Sequence, residues 1–185
     1  MAVPPTKLET TRLCLEPVRA DHADALWAAI EPSLPELRPW MAWAVNASLD
    51  ETKRFAERAE GGWLDGTEWD FVITEAGDAV GNIGLNRFIP LWRTCNVGYW
   101  MRSDRCGRGY TTEAASAVVE FGFTRVNAHR IELSASPDNP GSWRIAEKLG
   151  FKREGVLRDA CWAGRGFMDM YMYGLLATDP RPRLH

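Results

Sequence analysis

A glycine-bearing basic turn, RCGRGYTTEA (105–114), runs directly into a segment with an apolar stripe. Such a turn at the start of a helix usually binds a phosphate, because successive backbone N–H groups point at the anion and the helix dipole lies behind them. Gly107 and Gly109 allow the backbone to approach the anion closely. Three arginines surround the turn: Arg102, Arg105 and Arg108. Their density favours a phosphate contact by at least one of them.

Two common phosphate sites fit the turn poorly. The P-loop string GxxxxGK[ST] does not occur in the sequence. A dinucleotide fingerprint, G-x-G-x-x-G, is matched at Gly107 and Gly109, but Thr112 replaces its third glycine. Glu132 stands roughly where a ribose-binding acid would be, so an NAD(P) enzyme remains an alternative. Against it, the fingerprint normally opens a parallel βαβ series, whereas three antiparallel strands are expected before this turn.

The segment DNPGSWRIAEKLGF (138–151) has the clearest helix signals in the chain. Asn139 is the expected N-cap, Pro140 occupies the first turn, and Gly150 ends the helix. Capping alone explains Asn139. It does not explain Ser142, which lies inside the helix and is therefore the stronger candidate for chemistry.

The remaining segments predict a mixed α/β (α+β) domain in the order β-α-α-β-β-β-α-β-α-β-β. Asp21 is the expected N-cap of the first helix, and Ser48 with Glu51 forms a capping box at the start of the second, about Leu49 to Trp63. A further helix is predicted at 111–125. The predicted strands are 12–18, 68–76, 79–89, 94–102, 129–136, 152–162 and 166–176. Residues 1–185 read as one domain, with a core of about 8–178 and a proline-containing tail at 179–185.

Composition excludes several classes of protein. A net charge of −3 argues against direct nucleic-acid binding. Four widely spaced cysteines without a CxxC pair, and three histidines without ligand spacing, predict no metal site. No stretch resembles a signal peptide or approaches the ~20 apolar residues of a membrane span. We therefore expect a cytoplasmic protein that does not bind a membrane.

From Arg12 to Leu176 the sequence resembles the GNAT acyl-CoA N-acyltransferase superfamily, and within it the RimJ/RimL branch of protein N-terminal acetyltransferases. Five collinear strings carry the resemblance: ETTRLCLEPV, LRPWMAWA, GYWMRSDRCGRGYTTEA, HRIELSASPDNPGSWRIAEKLGFKREGVLRDA and GFMDMYMYGLL. The resemblance implies a single GNAT-type domain. Its mostly antiparallel, seven-stranded twisted sheet would be flanked by about four helices and would contain a splayed central strand pair. Members often dimerise, so a homodimer is a further expectation.

The resemblance also implies that acetyl-CoA is the co-substrate. The family's Q/R-x-x-G-x-G/A loop falls on residues that would hold the pyrophosphate: Cys106, Gly107, Arg108, Gly109, Tyr110 and Thr111. The backbone around Met101 and Arg102 would pair with the pantetheine arm, and the Met101 N–H would stabilise the thioester oxyanion. Asn139 would contact pantetheine, and Ser142 would hydrogen-bond the leaving thiolate.

A catalytic base is harder to assign. Some RimL-like members carry a glutamate where this sequence has Cys161, which we expect to be a buried structural cysteine. Asp159, two residues earlier on the same predicted strand face, is a substitute candidate for the base or a proton relay. Tyr173 is a candidate for lining the site.

A site without a strong base favours acceptors that are already partly neutral. An α-amine of pKa about 8 is roughly one tenth neutral at pH 7, whereas a lysine is neutral only about once in 2,500. We therefore expect a primary α-amine, either a peptide N-terminus or a small aminoacyl compound. Trp40 and Trp43 would line its pocket. A non-catalytic acyl-CoA-binding module remains the alternative, because the usual base is missing.

Overall fold

The computed structural model describes residues 3–182, and in that range eight strands form one sheet in the order β1-β2-β3-β4-β5-β6-β8-β7. The strands are β1 (Leu8–Glu9), β2 (Cys14–Pro17), β3 (Trp69–Glu75), β4 (Asp78–Ile89), β5 (Thr94–Met101), β6 (Arg130–Ala135), β7 (Lys152–Ala163) and β8 (Gly166–Leu176). The helices are α1 (Ala23–Ile30), α2 (Leu34–Leu37), α3 (Leu49–Asp65), α4 (Tyr110–Thr124) and α5 (Pro140–Lys148). Residues 1–2 and 183–185, the ends of the expected domain and tail, lie outside the described residues.

The expected mixed, mostly antiparallel sheet is confirmed, with eight strands instead of seven. The additional strand is β1, which is only two residues long and pairs Leu8 with Leu15 of β2. So short a strand carries no alternating pattern that a sequence could reveal. Every neighbouring pair is antiparallel except β5 and β6.

The helix starts show which local signals are reliable. The Ser48 side chain accepts the Glu51 N–H at 3.2 Å, and the Asn139 side chain accepts the Ser142 N–H at the same distance. The predicted N-caps of α3 and α5 are thus confirmed, although the Glu51 carboxylate pairs with Arg54 instead of completing a capping box. The predicted N-cap Asp21 is wrong, because a 3₁₀ turn over Ala20–His22 precedes α1 and contains it.

The helices cover both faces of the sheet and so create two apolar clusters. Ala114 and Val118 of α4 and Ile145 of α5 pack on one face with Ile83. On the other face, Leu26 of α1 and Ala56 of α3 pack with Val72 and Trp100. Strand side chains alternate between the faces, so neighbouring residues of β5 serve different layers. None of the helices within residues 3–182 is long and apolar enough to cross a membrane.

The parallel pair β5 and β6 separates partway along its length. The two strands pair only from Thr94↔Arg130 to Asn96↔Glu132. Beyond Asn96, β5 continues to pair with β4 as far as Met101, and β6 keeps only its pairing with β8, which runs along its other edge from Arg130 to Ala135. The expected splayed central pair is confirmed, and it leaves one edge of β5 without a strand partner from Val97 onward.

Candidate active site

The unpaired edge of β5 presents backbone N–H groups to the slot between β5 and β6. The Arg102 N–H donates to the Val80 carbonyl at 2.8 Å, so this pair is hydrogen-bonded across β4 and β5. Opposed residues of an antiparallel ladder alternate between bonded and non-bonded pairs. The N–H groups of Met101 and Tyr99 therefore point away from β4, into the slot. This suits the role predicted for Met101, whereas the Arg102 N–H is already engaged and does not reach the slot.

The glycine turn between β5 and α4 has the conformation of an anion cradle. Gly107 and Gly109 have φ values of 76° and 80°, in the left-handed region that favours glycine. Gly109 is the N-cap residue of α4, and no side chain in the described part of the chain caps this helix. The first N–H groups of α4, including that of Thr111, thus keep their capacity to bind an anion. The Cys106 N–H, by contrast, donates to Ser103.

The arginines around the turn divide into engaged and free side chains. Arg102 pairs with Asp104 at 2.7 Å, and Arg105 pairs with Glu75 at 2.8 Å. Within residues 3–182, Arg108 alone of the three makes no ion pair, and its side chain is exposed. It is therefore the arginine best placed to meet a phosphate.

The Tyr110 side chain of the turn is engaged within the protein, and Arg12 packs against it. Tyr110 is buried, its hydroxyl donates to Glu75, and the Arg12 guanidinium lies 4.5 Å from its ring. Arg12 also donates to the Arg108 carbonyl at 2.9 Å, and this contact holds the turn in place. Tyr110 can therefore contribute to a phosphate site only through its backbone N–H.

A pair of hydroxyls joins β5 to the first turn of α5. The Tyr99 hydroxyl lies 3.2 Å from both the Oγ and the carbonyl oxygen of Ser142. Burial raises the pKa of Tyr99 to about 12, although its hydrogen bond with Ser142 opposes the rise. The phenol thus stays protonated and can donate through Ser142 or directly. Tyr99 was not predicted as a site residue, because alternation alone assigns it to the core.

A cavity of about 660 Å³ opens where β5 and β6 separate, on the face covered by α1 and α3. The predicted residues Asn139, Ser142, Trp40 and Trp43 all line it. The β7–β8 hairpin closes one side, because the Gly164 N–H donates to the carbonyl of Arg38 at 3.0 Å. The structure thus brings the tryptophan segment, which is remote in sequence, to the start of α5.

The tryptophans contribute apolar surface around a polar floor. Trp43 lies 6.1 Å from Trp100, measured between ring centroids, and the Arg165 guanidinium lies 5.0 Å from the centroid of Trp40. The floor is formed by strand side chains that share this face of the sheet: Asp70, Asn82, Asn86 and Asn96. The cavity therefore suits an acceptor with both an apolar body and hydrogen-bonding groups.

Asp70 is the buried carboxyl of this floor, and sequence reasoning missed it. Only 6% of the surface of Asp70 is exposed to solvent. Burial, with Glu68 adding to the effect, raises the pKa of Asp70 to about 7, while Arg58 and the Asn82 amide oppose the rise. The available signal was an acid inside an otherwise apolar strand run, WDFVI (69–73), where an unpaired carboxylate is costly.

Three of the catalytic and structural expectations need correction. Asp159 does not line the cavity: the strand has a register shift between Leu157 and Cys161, and Asp159 has a φ of 48° and donates its N–H to Asp169. Cys161 is not a buried core residue but lines the cavity. Tyr173 lies in the core, and its hydroxyl donates to Glu147 of α5 at 3.2 Å, which is a packing role.

The arrangement of these parts is compatible with an acyl transfer. The slot can hold an extended thioester against the N–H groups of Tyr99 and Met101, with the turn before α4 binding phosphates. The hydroxyls of Tyr99 and Ser142 lie on the α5 side of the slot. The cavity admits a second substrate from the α1–α3 side.

Comparison with known proteins agrees with this geometry. Residues 12–152 match the family model described as an acetyltransferase (GNAT) domain. The uncharacterized N-acetyltransferase p20 of Bacillus licheniformis is 28% identical over 177 residues, which cover 93% of this chain and 97% of that protein. The ribosomal-protein-serine acetyltransferase of Escherichia coli strain K12 is 29% identical over 103 residues, 56% of this chain and 58% of that protein. The solved structure of Mycobacterium smegmatis RimJ in complex with CoA-disulfide has a TM-score of 0.86 at 26% identity, over 94% of this chain and 88% of that one.

The matched family model spans most of the chain, and the neighbouring structure holds coenzyme A. Both support acetyl-CoA as the co-substrate. The dinucleotide alternative is not supported, because the glycine turn follows the antiparallel strands β3, β4 and β5 and not the first strand of a parallel βαβ unit. The chain belongs to the GNAT acetyltransferase family, and a RimJ structure and a ribosomal-protein-serine acetyltransferase are among the proteins similar to it.

Proposed function

We propose that this protein transfers the acetyl group of acetyl-CoA directly to a primary α-amine, that of a peptide N-terminus or a small aminoacyl compound. One observation carries the proposal. The acceptor cavity opens at the point where β5 and β6 separate, so a thioester lying along β5 would expose its carbonyl carbon to the cavity. A ribosomal-protein-serine acetyltransferase among the relatives supports an α-amine of a protein as one such acceptor.

In this scheme most predicted cofactor residues have a task, whereas the N–H groups of Arg102 and Cys106 are already hydrogen-bonded within the protein. The turn binds the pyrophosphate through the N–H groups that follow Gly107, with Arg108 beside them. The Met101 N–H faces the slot and can donate a hydrogen bond to the developing oxyanion. Asn139 holds the start of α5, so that the Ser142 hydroxyl points at the leaving sulfur. The amine nitrogen attacks the carbonyl carbon, a C–N bond forms, and the C–S bond breaks without an acyl-enzyme.

The size and lining of the cavity restrict the acceptor. The cavity is large enough for a group the size of a few residues but not for the surface of a folded protein. Only a chain end or a small molecule can therefore enter it. The indoles of Trp40, Trp43 and Trp100 favour an acceptor whose amine is attached to an aromatic or otherwise planar apolar group. The asparagines of the floor would bind its amide or carboxyl groups.

The test is a thiol-release assay with acetyl-CoA and a panel of amines. The panel holds short peptides with free and with blocked N-termini, aminoacyl amides, polyamines and Nα-blocked lysine. We expect release of thiol with free α-amines and at least ten times less with Nα-blocked lysine. Equal turnover of α-amines and lysine would contradict the acceptor class. Binding of coenzyme A in calorimetry, without thiol release by any amine, would show a non-catalytic acyl-CoA-binding module instead.

A further inference from the structure

Three residues form one row across the middle of the sheet. Asp70 of β3 is opposite Gly84 of β4, and Gly84 is opposite Gly98 of β5. Because neighbouring strands are about 4.8 Å apart, roughly 10 Å separates the Cα atoms of Asp70 and Gly98. A Cβ added to Gly84 would lie 2.1 Å from Oδ1 of Asp70, so the carboxyl already occupies the space above Gly84. The two glycines leave no side chain between this carboxyl and the slot.

Polar and aromatic side chains border the row on both sides. Asn82 and Trp100 are opposite each other on one side, and Asn86 and Asn96 are opposite each other on the other. All four line the cavity. The row is therefore a groove in the cavity floor that leads from the unpaired edge of β5 to a single acidic group.

The position of Asp70 is fixed by its backbone. Its carbonyl oxygen accepts the Val18 N–H at 2.9 Å and the Trp63 indole N–H at 2.9 Å. Bonds from two other elements, the segment after β2 and helix α3, thus prevent the strand from shifting. The carboxyl itself lies against Gly84, on the face of the sheet that lines the cavity.

The groups that face the carboxyl set its acidity. Arg58 and Glu51 of α3 line the same cavity, and Glu68 stands two residues before Asp70 on the chain. Helix α1 contributes only the apolar side chains of Leu26 and Ile30. Burial dominates and raises the pKa to about 7. A base of this strength is ionised in part at neutral pH and can still hold a proton after taking one.

We propose that Asp70 is the proton acceptor of the transfer, taking its proton from an acceptor amine that lies over Gly98, beside the carboxyl that covers Gly84. This role rests on the proposed function. The Asp70 carboxylate removes one proton from the ammonium group of the acceptor and becomes a neutral acid. The amine nitrogen then attacks the thioester carbonyl, the C–N bond forms and the C–S bond breaks. The second proton lost by the nitrogen goes to the coenzyme A thiolate, and Asp70 returns its proton to solvent.

The two halves of the chemistry then lie on opposite faces of the sheet. Tyr99 and Ser142 of α5, which would stabilise the thiolate, lie on the α5 side of the sheet. Asp70 faces α1 and α3. Since neighbouring residues of β5 alternate between faces, Gly98 opens the acceptor side while Tyr99 serves the leaving group. The acetyl group would pass through the slot between them.

The strength of the base also selects the amine. A carboxylate of pKa about 7 deprotonates an ammonium of pKa about 8 with a tenfold unfavourable equilibrium. For a lysine-type ammonium of pKa about 10.4, the same equilibrium is about 2,500-fold unfavourable. Asp70 therefore supports the α-amine preference from the enzyme side.

The experiment is a pH profile of kcat/KM for wild type and Asp70→Asn, with acetyl-CoA and the best α-amine of the panel. For wild type we expect a rise centred near pH 7. In Asp70→Asn this limb should disappear. The remaining rate should follow the free-amine fraction up to the pKa of the amine and lie about 10² to 10³ below wild type at pH 7. The dissociation constant for coenzyme A, measured by calorimetry, should not change.

Glu68→Gln is the matched variant, because Glu68 neighbours Asp70 but does not line the cavity. Removing its charge should move the wild-type limb to lower pH and preserve the maximal rate. A limb that moves to higher pH in Glu68→Gln belongs to another group and overturns the proposal. The same holds if Asp70→Asn keeps the wild-type profile, or if it raises only the KM for the amine. If wild type itself binds coenzyme A and acetylates no amine, the proposed function fails, and this role fails with it.

Discussion

The Tyr99 hydroxyl of β5 lies 3.2 Å from Oγ of Ser142 in the first turn of α5. This contact connects the strand that presents its N–H groups to the slot with the helix whose N-cap is Asn139. Burial keeps Tyr99 protonated by raising its pKa to about 12. The pair therefore offers a protonated hydroxyl chain, and not a base, on the leaving-group side of the slot.

Removing either hydroxyl should slow the chemical step. We expect Tyr99→Phe and Ser142→Ala each to lower kcat by about 10- to 100-fold, because a hydrogen bond to a charged group contributes about 1.5–3 kcal/mol. The KM for acetyl-CoA should change little. Because the two hydroxyls contact each other, the double variant should lose less than the product of the single effects. Steady-state kinetics of all three variants gives this cycle, and strictly multiplicative losses would show that the hydroxyls act separately.

The left-handed conformation of Gly109 should be required for binding of the cofactor. Gly109→Ala places a Cβ at a φ of 80°, a conformation that costs a non-glycine residue about 1–2 kcal/mol. Relaxing that strain would turn the N–H groups of the turn away from the pyrophosphate. We expect a roughly tenfold higher dissociation constant for coenzyme A in calorimetry. The matched control is Gly77→Ala, which has a φ of 91° in the β3–β4 turn and should destabilise the fold similarly but leave binding intact.

The tryptophan segment should affect the acceptor and not the cofactor. Trp43 is 44% exposed at the mouth of the cavity, where it contacts Trp100. We expect Trp43→Ala to raise the KM for the amine about 5- to 10-fold, since aromatic pairs and their burial contribute on the order of 1 kcal/mol. The KM for acetyl-CoA should stay constant. The control is Trp92→Ala, which removes an indole of 64% exposure from the β4–β5 turn and should change neither KM. If Trp92→Ala raised the KM for the amine as much as Trp43→Ala does, the effect would not be specific to the cavity.

The parts of the molecule that were predictable are those with local signals. The caps Ser48 and Asn139 and the glycine turn at Gly107 follow from residue types at fixed spacing. The register shift before Cys161, which removes Asp159 from the face it was expected to share, depends on pairing across the hairpin and leaves no local pattern.

The lack of a local sequence pattern also explains why two site residues were not predicted. Tyr99 and Asp70 both stand in apolar strand runs, and each looks like a residue whose side chain must simply be satisfied in the core. Their roles come from partners distant in the chain, Ser142 for Tyr99 and the glycine of β4 opposite Asp70. Glycines inside two adjacent strands, Gly84 and Gly98, were the one available sign of an open floor.

The buried Asp70 carboxyl should also be visible in the stability of the free protein. Its folded-state pKa of about 7 lies above the ordinary value of 3.8, so the unfolded state loses its proton first as pH rises. The stability contributed by protonated Asp70 is therefore fully present below about pH 4 and is lost as pH rises through 7. Asn at this position carries no proton to lose. Between about pH 4 and pH 7, the free energy of unfolding of Asp70→Asn should therefore rise relative to that of wild type by about 1.4 kcal/mol per pH unit.

Urea unfolding of both proteins at pH 5 and at pH 8 measures this difference. We expect the free energy of unfolding of Asp70→Asn, minus that of wild type, to increase by about 3 kcal/mol between the two values. A difference that stays constant between pH 5 and pH 8 would mean that Asp70 ionises normally in the folded state. The buried carboxyl would then be too weak a base at neutral pH to explain a rate limb near pH 7.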